Sequence, residues 1–228
     1  MRRASSPVTL TRPALLGVLA LALFAFLAVA VQLRLLAGFD LALMQSLRGP
    51  DVSWLIGWAT LTGVALAGPV SIAYALLAAF LLWRSGAGRC SPAPLAFLLA
   101  TLVEVAMKST IDQPGEPLRQ FVRGTYYPFL SIDLGGAFPS GHAARTGFLL
   151  TFLALWLRSR QGVARRLSMP VCLLPAVAIG FSRLYIADHW PSDILGGLLL
   201  GGGIALLAAP PALRRSRAGE AGLPTSPG

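Results

Sequence analysis

The two histidines of the chain each stand in a short polar cluster between apolar runs. His142 follows Pro139-Ser140-Gly141, and His189 stands four residues before Asp193. A neutral imidazole is a nucleophile toward phosphorus, and a carboxylate can accept its Nδ1 proton and leave Nε2 free. The second imidazole can donate a proton to a leaving oxygen and later activate water. The pattern indicates phosphoryl transfer with His189 as nucleophile, Asp193 as its partner and His142 as general acid and base.

Groups suited to holding a phosphate stand, like both histidines, at the ends of predicted spans. Lys108 and Arg183 are cations that can neutralise the charge on the phosphoryl oxygens. Ser140 and the backbone N–H groups around Gly141 open a predicted helix, whose N-terminus favours an anion, and glycine lets the backbone approach it closely. Each element alone also fits a helix cap, a snorkelling lysine or an interhelical ion pair. Their joint occurrence favours a catalytic site over these structural roles.

Composition indicates a membrane protein. The 228 residues are 55% hydrophobic and 12% charged, against roughly 25% charged residues in a typical soluble domain. This balance excludes a disordered chain and predicts an all-α, polytopic helical bundle in lipid. The net charge of +10 comes mostly from arginine clusters that flank apolar runs, which is typical of loops beside membrane spans and argues against a nucleic-acid partner.

Six membrane spans are predicted, over residues 14–36, 54–83, 94–107, 143–157, 169–187 and 193–207. Residues 1–13 form a cytoplasmic N-terminus, 14–209 the six-helix domain and 210–228 a disordered cytoplasmic tail. The second span is longer than the roughly 20 residues needed to cross, which predicts a tilted helix or first turns in the interface. Glycines of the sixth span, at 196, 197 and 201–203, predict close helix packing.

Charge predicts the orientation of these spans. With both termini cytoplasmic, 12 of the 19 Lys and Arg residues fall on the inner side, as the positive-inside rule favours. The polar clusters then lie at span ends on the outer face. Glu104 stands four residues before Lys108, so the two side chains share a helix face and are expected to pair. Asp188 is expected to be a loop acid that points to solvent.

The polar clusters carry a resemblance to a known family. Pro139-Ser140-Gly141-His142, together with Ser182-Arg183-x5-His189-x3-Asp193, resembles the second and third signature motifs of the type-2 phosphatidic acid phosphatase superfamily, the membrane lipid phosphate phosphatases. The resemblance covers residues 94–207. It implies a six-helix membrane fold with its site at the outer face, no metal and no cofactor.

The resemblance also implies roles for individual residues. His189 corresponds to the nucleophile that forms a phosphohistidine, Asp193 to its partner and His142 to the general acid. The phosphate ligands that it implies are Lys108, Ser140, Gly141 and Arg183.

The first signature motif departs from the family pattern. The family has Lys, six residues and then Arg-Pro, whereas Gly115-Glu116 follows Lys108 at that spacing. Arg119 or Arg123 from the same loop can replace the missing ligand, and Arg123 is preferred because it stands in an apolar, aromatic stretch. Alternatively, the site works with fewer cations, at a cost of about 1.5–3 kcal/mol for one charge-assisted contact.

The predicted function is an integral membrane phosphatase of the bacterial cytoplasmic membrane, with its active site on the extracytoplasmic side. Its substrate class is a lipid phosphate monoester or diphosphate, such as phosphatidic acid, phosphatidylglycerol phosphate or a polyprenyl diphosphate. Two alternatives stay open: a phosphotransferase that uses the same intermediate, and a non-catalytic relative that binds anionic lipid. A transporter is disfavoured because the polar residues lie at span ends rather than in broken helices at the midplane.

Overall fold

The computed structural model describes residues 11–47, 50–84, 86, 93–113 and 136–210, and the regular elements in these ranges are helices. The predicted N-terminal segment and C-terminal tail lie almost wholly outside the described residues. The helices are α1 (Arg12–Gln32), α2 (Ala37–Ser46), α3 (Ser53–Ala65), α4 (Gly68–Arg84), α5 (Phe97–Lys108), α6 (Gly141–Arg158), α7 (Val163–Tyr185) and α8 (Pro191–Ala208). A 3₁₀ turn, Ala93–Ala96, precedes α5.

Helix α8 is the centre of the bundle, packed against α6 on one side and α1 on another. Its glycines make this approach possible: a Cβ atom at Gly197 would overlap the carbonyl oxygen of Ser140, and one at Gly201 would overlap that of Ala144. The predicted close packing of the glycine-rich helix is therefore confirmed. It fixes the start of α6 against the start of α8, where both sequence motifs lie.

Replacing Gly201 by alanine tests this packing. We expect Gly201→Ala to lower the free energy of unfolding by about 1–3 kcal/mol, because backbone must move to admit the new methyl group. Gly57→Ala is the matched control, since no atom lies within 4 Å of the added Cβ and alanine favours a helix over glycine by about 0.5–1 kcal/mol. Thermal unfolding in detergent measures both, and equal melting temperatures would contradict the account.

Three described helices, α1, α7 and α8, are long and apolar enough to cross a membrane, and α3 with α4 forms a bent pair that can count as a fourth span. These correspond to predicted spans one, five, six and two. Helix α5 has 12 residues and rises about 18 Å at 1.5 Å per residue. Neither α5 nor α6, the predicted third and fourth spans, is apolar and long enough to meet the same criteria.

The second predicted span is not one continuous tilted helix. It breaks after α3, and α4 continues at an angle of 56°. Pro69 has no N–H to donate and cannot continue the hydrogen-bond ladder. Around the break, the N–H of Ala67 donates to Val64 rather than to Gly63. The carbonyls of Gly63 and Leu66 are thus available to donors from other helices.

Candidate active site

The structure brings the two histidines together. His142 is the second residue of α6, and His189 lies in the turn before α8. One nitrogen of each ring lies within 4.8 Å of the other. The two helix starts are tied directly, because the N–H of Ser140 donates to the carbonyl of Asp193 at 3.0 Å. Both motifs therefore line one site.

His189 has the predicted carboxylate partner. Its Nδ1 lies 3.4 Å from Oδ2 of Asp193, and the same oxygen accepts the N–H of Trp190 at 2.9 Å. Asp193 is fully buried in the first turn of α8, which begins at Pro191. A carboxylate held in this way orients the imidazole and favours a proton on Nδ1, which leaves a free lone pair on Nε2.

Arg183, near the end of α7, is buried with its guanidinium turned toward α3. It donates to the carbonyl of Ala59, to Oγ1 of Thr62 at 3.2 Å and to Oδ2 of Asp188 at 3.4 Å. A Cβ atom at Gly63 would lie 2.8 Å from Nη1 of this arginine, so glycine leaves room for it. The contacts fix the cation at the edge of the histidine pair.

The broken end of α3 supplies acceptors to this site. The carbonyl of Gly63 lies 3.1 Å from Nε2 of His142, and that of Leu66 accepts Nε of Arg145 at 2.7 Å. With Ala59, these residues are spaced i, i+4 and i+7 and share one helix face. The face therefore orients two guanidinium groups and one imidazole. Sequence analysis assigned it no role.

Lys108 lies at the end of α5 and pairs with Glu104 as predicted, with Nζ 3.4 Å from Oε1. The other oxygen of Glu104 accepts Nη1 of Arg145 at 3.2 Å. The carboxylate rests against Gly141, where a Cβ atom would overlap it. Arg145 was not among the predicted site residues. Its position three residues after His142, on the same helix face, is the signal that could have found it.

Removing the shared carboxylate tests how much this cluster contributes to the free energy of unfolding. We expect Glu104→Ala to lower the free energy of unfolding by about 3–5 kcal/mol, because Lys108 and Arg145 then stay buried without a counter-charge. Asp112→Ala removes the partner of Arg34 in an exposed pair, and such pairs contribute about 0–1 kcal/mol. Thermal unfolding compares the two, and similar losses would contradict a buried role for Glu104.

Asp188 does not point to solvent, so that prediction is wrong. Ala187 has a left-handed backbone (φ 57°), and the following carboxylate turns inward with its side chain only 19% exposed. Oδ2 of Asp188 lies 3.4 Å from Nη1 of Arg183 and 3.9 Å from Nδ1 of His142. Burial raises the pKa of the Asp188 carboxyl, but Coulombic interaction with His189, His142 and Arg183 outweighs burial and holds this pKa below its ordinary value.

The carboxylate of Asp40, on α2, accepts hydrogen bonds from the start of α8. Its Oδ1 accepts the N–H of Ser192 at 2.9 Å, and its Oδ2 accepts the hydroxyl of the same serine at 2.6 Å. Nε2 of Gln113 donates to that hydroxyl oxygen at 3.1 Å. Burial raises the pKa of Asp40, against the lowering by these hydrogen bonds. The contact secures the residue beside Asp193, and sequence analysis did not find it.

Comparison with known proteins places this geometry in a family. The family model described as the PAP2 superfamily matches residues 90–215. The chain belongs to the PAP2 superfamily. A putative undecaprenyl-diphosphatase of Escherichia coli, YbjG, is 32% identical over 55% of this chain and 60% of its own length. Undecaprenyl-diphosphatase BcrC of Bacillus subtilis is 30% identical over 36% of this chain and 38% of its own.

A lipid A 1-phosphatase of Rhizobium etli is 33% identical over 37% of this chain and 33% of its own length. The chain therefore spans between about a third and three fifths of the length of these three relatives. Among solved structures, a PAP2-type phosphatidylglycerolphosphate phosphatase from Bacillus subtilis matches with a TM-score of 0.65 and 21% identity, over 84% of this chain and 93% of that one. This match shows a shared PAP2 fold.

Within the PAP2 motifs, the structure places every predicted site residue except one. Ser140 is the N-cap of α6, where its hydroxyl accepts the N–H of Ala143 at 3.3 Å. Arg123, the preferred replacement in the first motif, lies outside the described residues, as do Arg119 and Glu116. Arg145 is an additional buried cation beside the site, although its guanidinium already binds Glu104 and the end of α3.

One group of PAP2 site residues has the donor types of a metal centre. Single donor atoms of His142, Asp188 and His189 lie within 4.8 Å of one another. The guanidinium of Arg183 contacts the same Asp188 oxygen at 3.4 Å, and its positive charge disfavours a second cation there. The predicted absence of a metal stays a prediction.

Proposed function

We propose that this protein is an integral membrane phosphatase that hydrolyses a lipid phosphate monoester or diphosphate through a phosphohistidine. One observation carries the proposal: nitrogens of His142 and His189 lie within 4.8 Å, with Asp193 behind one ring and Arg183 beside the pair. Two imidazoles at this separation can act on one phosphorus atom, one as nucleophile and one as proton donor.

The cations of the site stabilise the transferring phosphoryl group. Its negative charge spreads over three oxygens in the transition state, and fixed donors close to those oxygens lower the barrier. Arg183, Lys108 and the N–H groups at the start of α6 supply such donors. In the structure, Asp188 pairs with Arg183 and Glu104 with Lys108, so an entering phosphate competes with internal carboxylates for both cations.

A lipid carries this phosphate. The three relatives named above are described as diphosphatases of undecaprenol or as a phosphatase of lipid A, and each of those substrates presents a terminal phosphate on a long apolar body. Large apolar side chains are exposed along α1 and α7, as in helices that contact lipid. Substrate thus reaches the site from the bilayer, with its phosphate at the helix ends.

The proposed topology has six spans, both termini in the cytoplasm and the site at the outer face of the cytoplasmic membrane. The arginine distribution supports it, and the site residues lie at one end of the bundle, at the starts of α6 and α8 and the ends of α5 and α7. In this arrangement α5, with its preceding turn, and α6 are the third and fourth spans.

A phosphate-release panel tests the proposal. Purified protein in detergent is given phosphatidic acid, phosphatidylglycerol phosphate or a polyprenyl diphosphate, each with and without excess chelator. We expect release from at least one lipid, with the same rate in chelator. Release from none would overturn the proposed function, and loss of activity in chelator would overturn its metal-free form. Adding an alcohol acceptor identifies a phosphotransferase if phosphate moves to the alcohol instead of water.

A further inference from the structure

Asp188 is a partly buried acid to which the mechanism above gives no part beyond its pairing with Arg183. It lies directly before His189, in the turn between α7 and α8, and its Oδ2 faces Nδ1 of His142 at 3.9 Å. The contact joins a carboxylate to the second imidazole of the site. His142 therefore has an acid beside it, as His189 has Asp193.

The other nitrogen of His142 decides what this contact means. Nε2 lies 3.1 Å from the carbonyl of Gly63, and a carbonyl only accepts hydrogen bonds, so Nε2 carries a proton. A neutral imidazole has one N–H, and Nδ1 would then direct a lone pair toward the carboxylate of Asp188. A proton on Nδ1 replaces that repulsion by attraction, so the two acceptors together favour an imidazolium at His142.

The remaining neighbours act in the opposite direction. Burial disfavours a charged His142 most strongly, and Arg145 on the same helix, Arg183 on α7 and His189 in the turn act in the same direction. Within the described part of the chain, the charge of Asp188 opposes them, although burial outweighs it.

We propose that Asp188 is a positioning residue for the proton-donor function of His142. It orients Nδ1 toward the reacting phosphate and, with the Gly63 carbonyl, favours the second proton on the ring. The inference rests on the proposed phosphatase function. It also explains why the carboxylate is turned inward at a residue where solvent was expected.

The proton then moves as follows. Nε2 of His189 bonds to phosphorus while the bond from phosphorus to the leaving oxygen breaks, and that oxygen takes the Nδ1 proton of His142. Neutral His142 next removes a proton from water as the water oxygen attacks phosphorus and the nitrogen–phosphorus bond breaks. Inorganic phosphate leaves, and both histidines return to their starting forms.

Leaving-group dependence measures this role. An alkyl phosphate expels an alkoxide and needs the proton, whereas p-nitrophenyl phosphate expels a stable phenolate. We expect Asp188→Asn to lower kcat/KM about 10²-fold for a short-chain alkyl phosphate, as for loss of a general acid. The loss in kcat/KM for the phenyl ester should be smaller than this by a factor of about ten or more. The ratio of the two rates in one sample is independent of the fraction of protein that is folded. Asp188→Glu, which keeps the charge, should retain the wild-type ratio.

The pH profile and a double variant complete the test. The alkaline limb of kcat/KM for the alkyl ester should move to lower pH in Asp188→Asn, because the ring loses the anion that holds its proton. In a His142→Ala background, Asp188→Asn should have little further effect on the ratio. Asp112→Asn, in the exposed pair with Arg34, is the matched control and should keep the wild-type ratio.

Three results would overturn the inference. Equal losses on both esters, or no activity on either, would assign Asp188 to support of Arg183 or of the fold. Faster hydrolysis by Asp188→Asn would show that the carboxylate only competes with phosphate. A wild-type protein that hydrolyses neither ester nor any lipid of the panel would instead overturn the proposed function itself.

Discussion

His189→Ala is expected to abolish phosphate release, with a loss on the order of 10⁴-fold or more in kcat. The variant has no imidazole nitrogen at residue 189 to form the bond to phosphorus. His142 cannot replace it, because His142 transfers a proton to the leaving oxygen on the opposite side of the phosphorus atom. Release of inorganic phosphate from the best lipid of the panel measures the effect, with wild-type protein purified in parallel.

His189→Gln accompanies this variant because His189 is buried and alanine leaves a space. Glutamine fills most of the volume without a nucleophilic nitrogen, so both variants should be equally inactive, and His189→Gln should unfold near the wild-type temperature. Substantial activity in either variant would contradict the assignment of the nucleophile.

Asp193→Asn is expected to lower kcat on the order of 10³-fold or more. The amide keeps the shape of the carboxylate but removes the charge that stabilises the imidazolium character of His189 as its Nε2 bonds to phosphorus. Because Oδ2 also accepts the N–H of Trp190, the isosteric amide is chosen to preserve the start of α8.

The control for this variant is Asp112→Asn, the same substitution in an exposed ion pair with Arg34, which should retain full activity. Lipid phosphatase assays compare the two, and KM is measured with kcat because Asp193 does not face the phosphate. A change confined to KM, or an equal effect of both substitutions, would contradict a role for Asp193 in orienting the nucleophile.

The convergence of the site could be predicted from sequence because its residues stand where helices begin and end. His142 lies in the first turn of α6 and His189 just before α8, and Gly197 and Gly201 allow those helices to touch. The four-residue spacing from His189 to Asp193 sets a contact that local geometry alone determines. Long apolar runs and arginine clusters likewise identify a membrane bundle without knowledge of its packing.

What sequence analysis missed depends on tertiary contacts. The inward turn of Asp188 follows from the left-handed backbone at Ala187, which no residue type there signals, and from the pull of Arg183. Glu104 forms ion pairs with both Lys108 and Arg145, and the second pair requires α5 and α6 to lie side by side. The break between α3 and α4 did have a local signal, Gly68-Pro69 within a 30-residue apolar run. The length of that run alone predicts a tilted helix or first turns in the interface.

The departure in the first PAP2 motif has a physical consequence for the proposed mechanism. With Gly115-Glu116 in place of Arg-Pro, the described cations nearest the histidines are Lys108, Arg145 and Arg183, and each already contacts a carboxylate. A phosphate gains less from such paired cations than from free ones. We expect substrate binding to weaken with added salt only moderately, because these groups are buried.

Trapping the covalent intermediate tests the central claim most directly. In His142→Ala, the group that activates water is absent, whereas p-nitrophenolate still leaves from p-nitrophenyl phosphate without a donated proton. We therefore predict a burst approaching one p-nitrophenolate per protein molecule and a phosphoryl label that is labile in acid and stable in alkali. Both should vanish when His189→Ala is added. A label that persists in the double variant, or His142→Ala turning over steadily with no burst and no label, would contradict a phosphohistidine at His189.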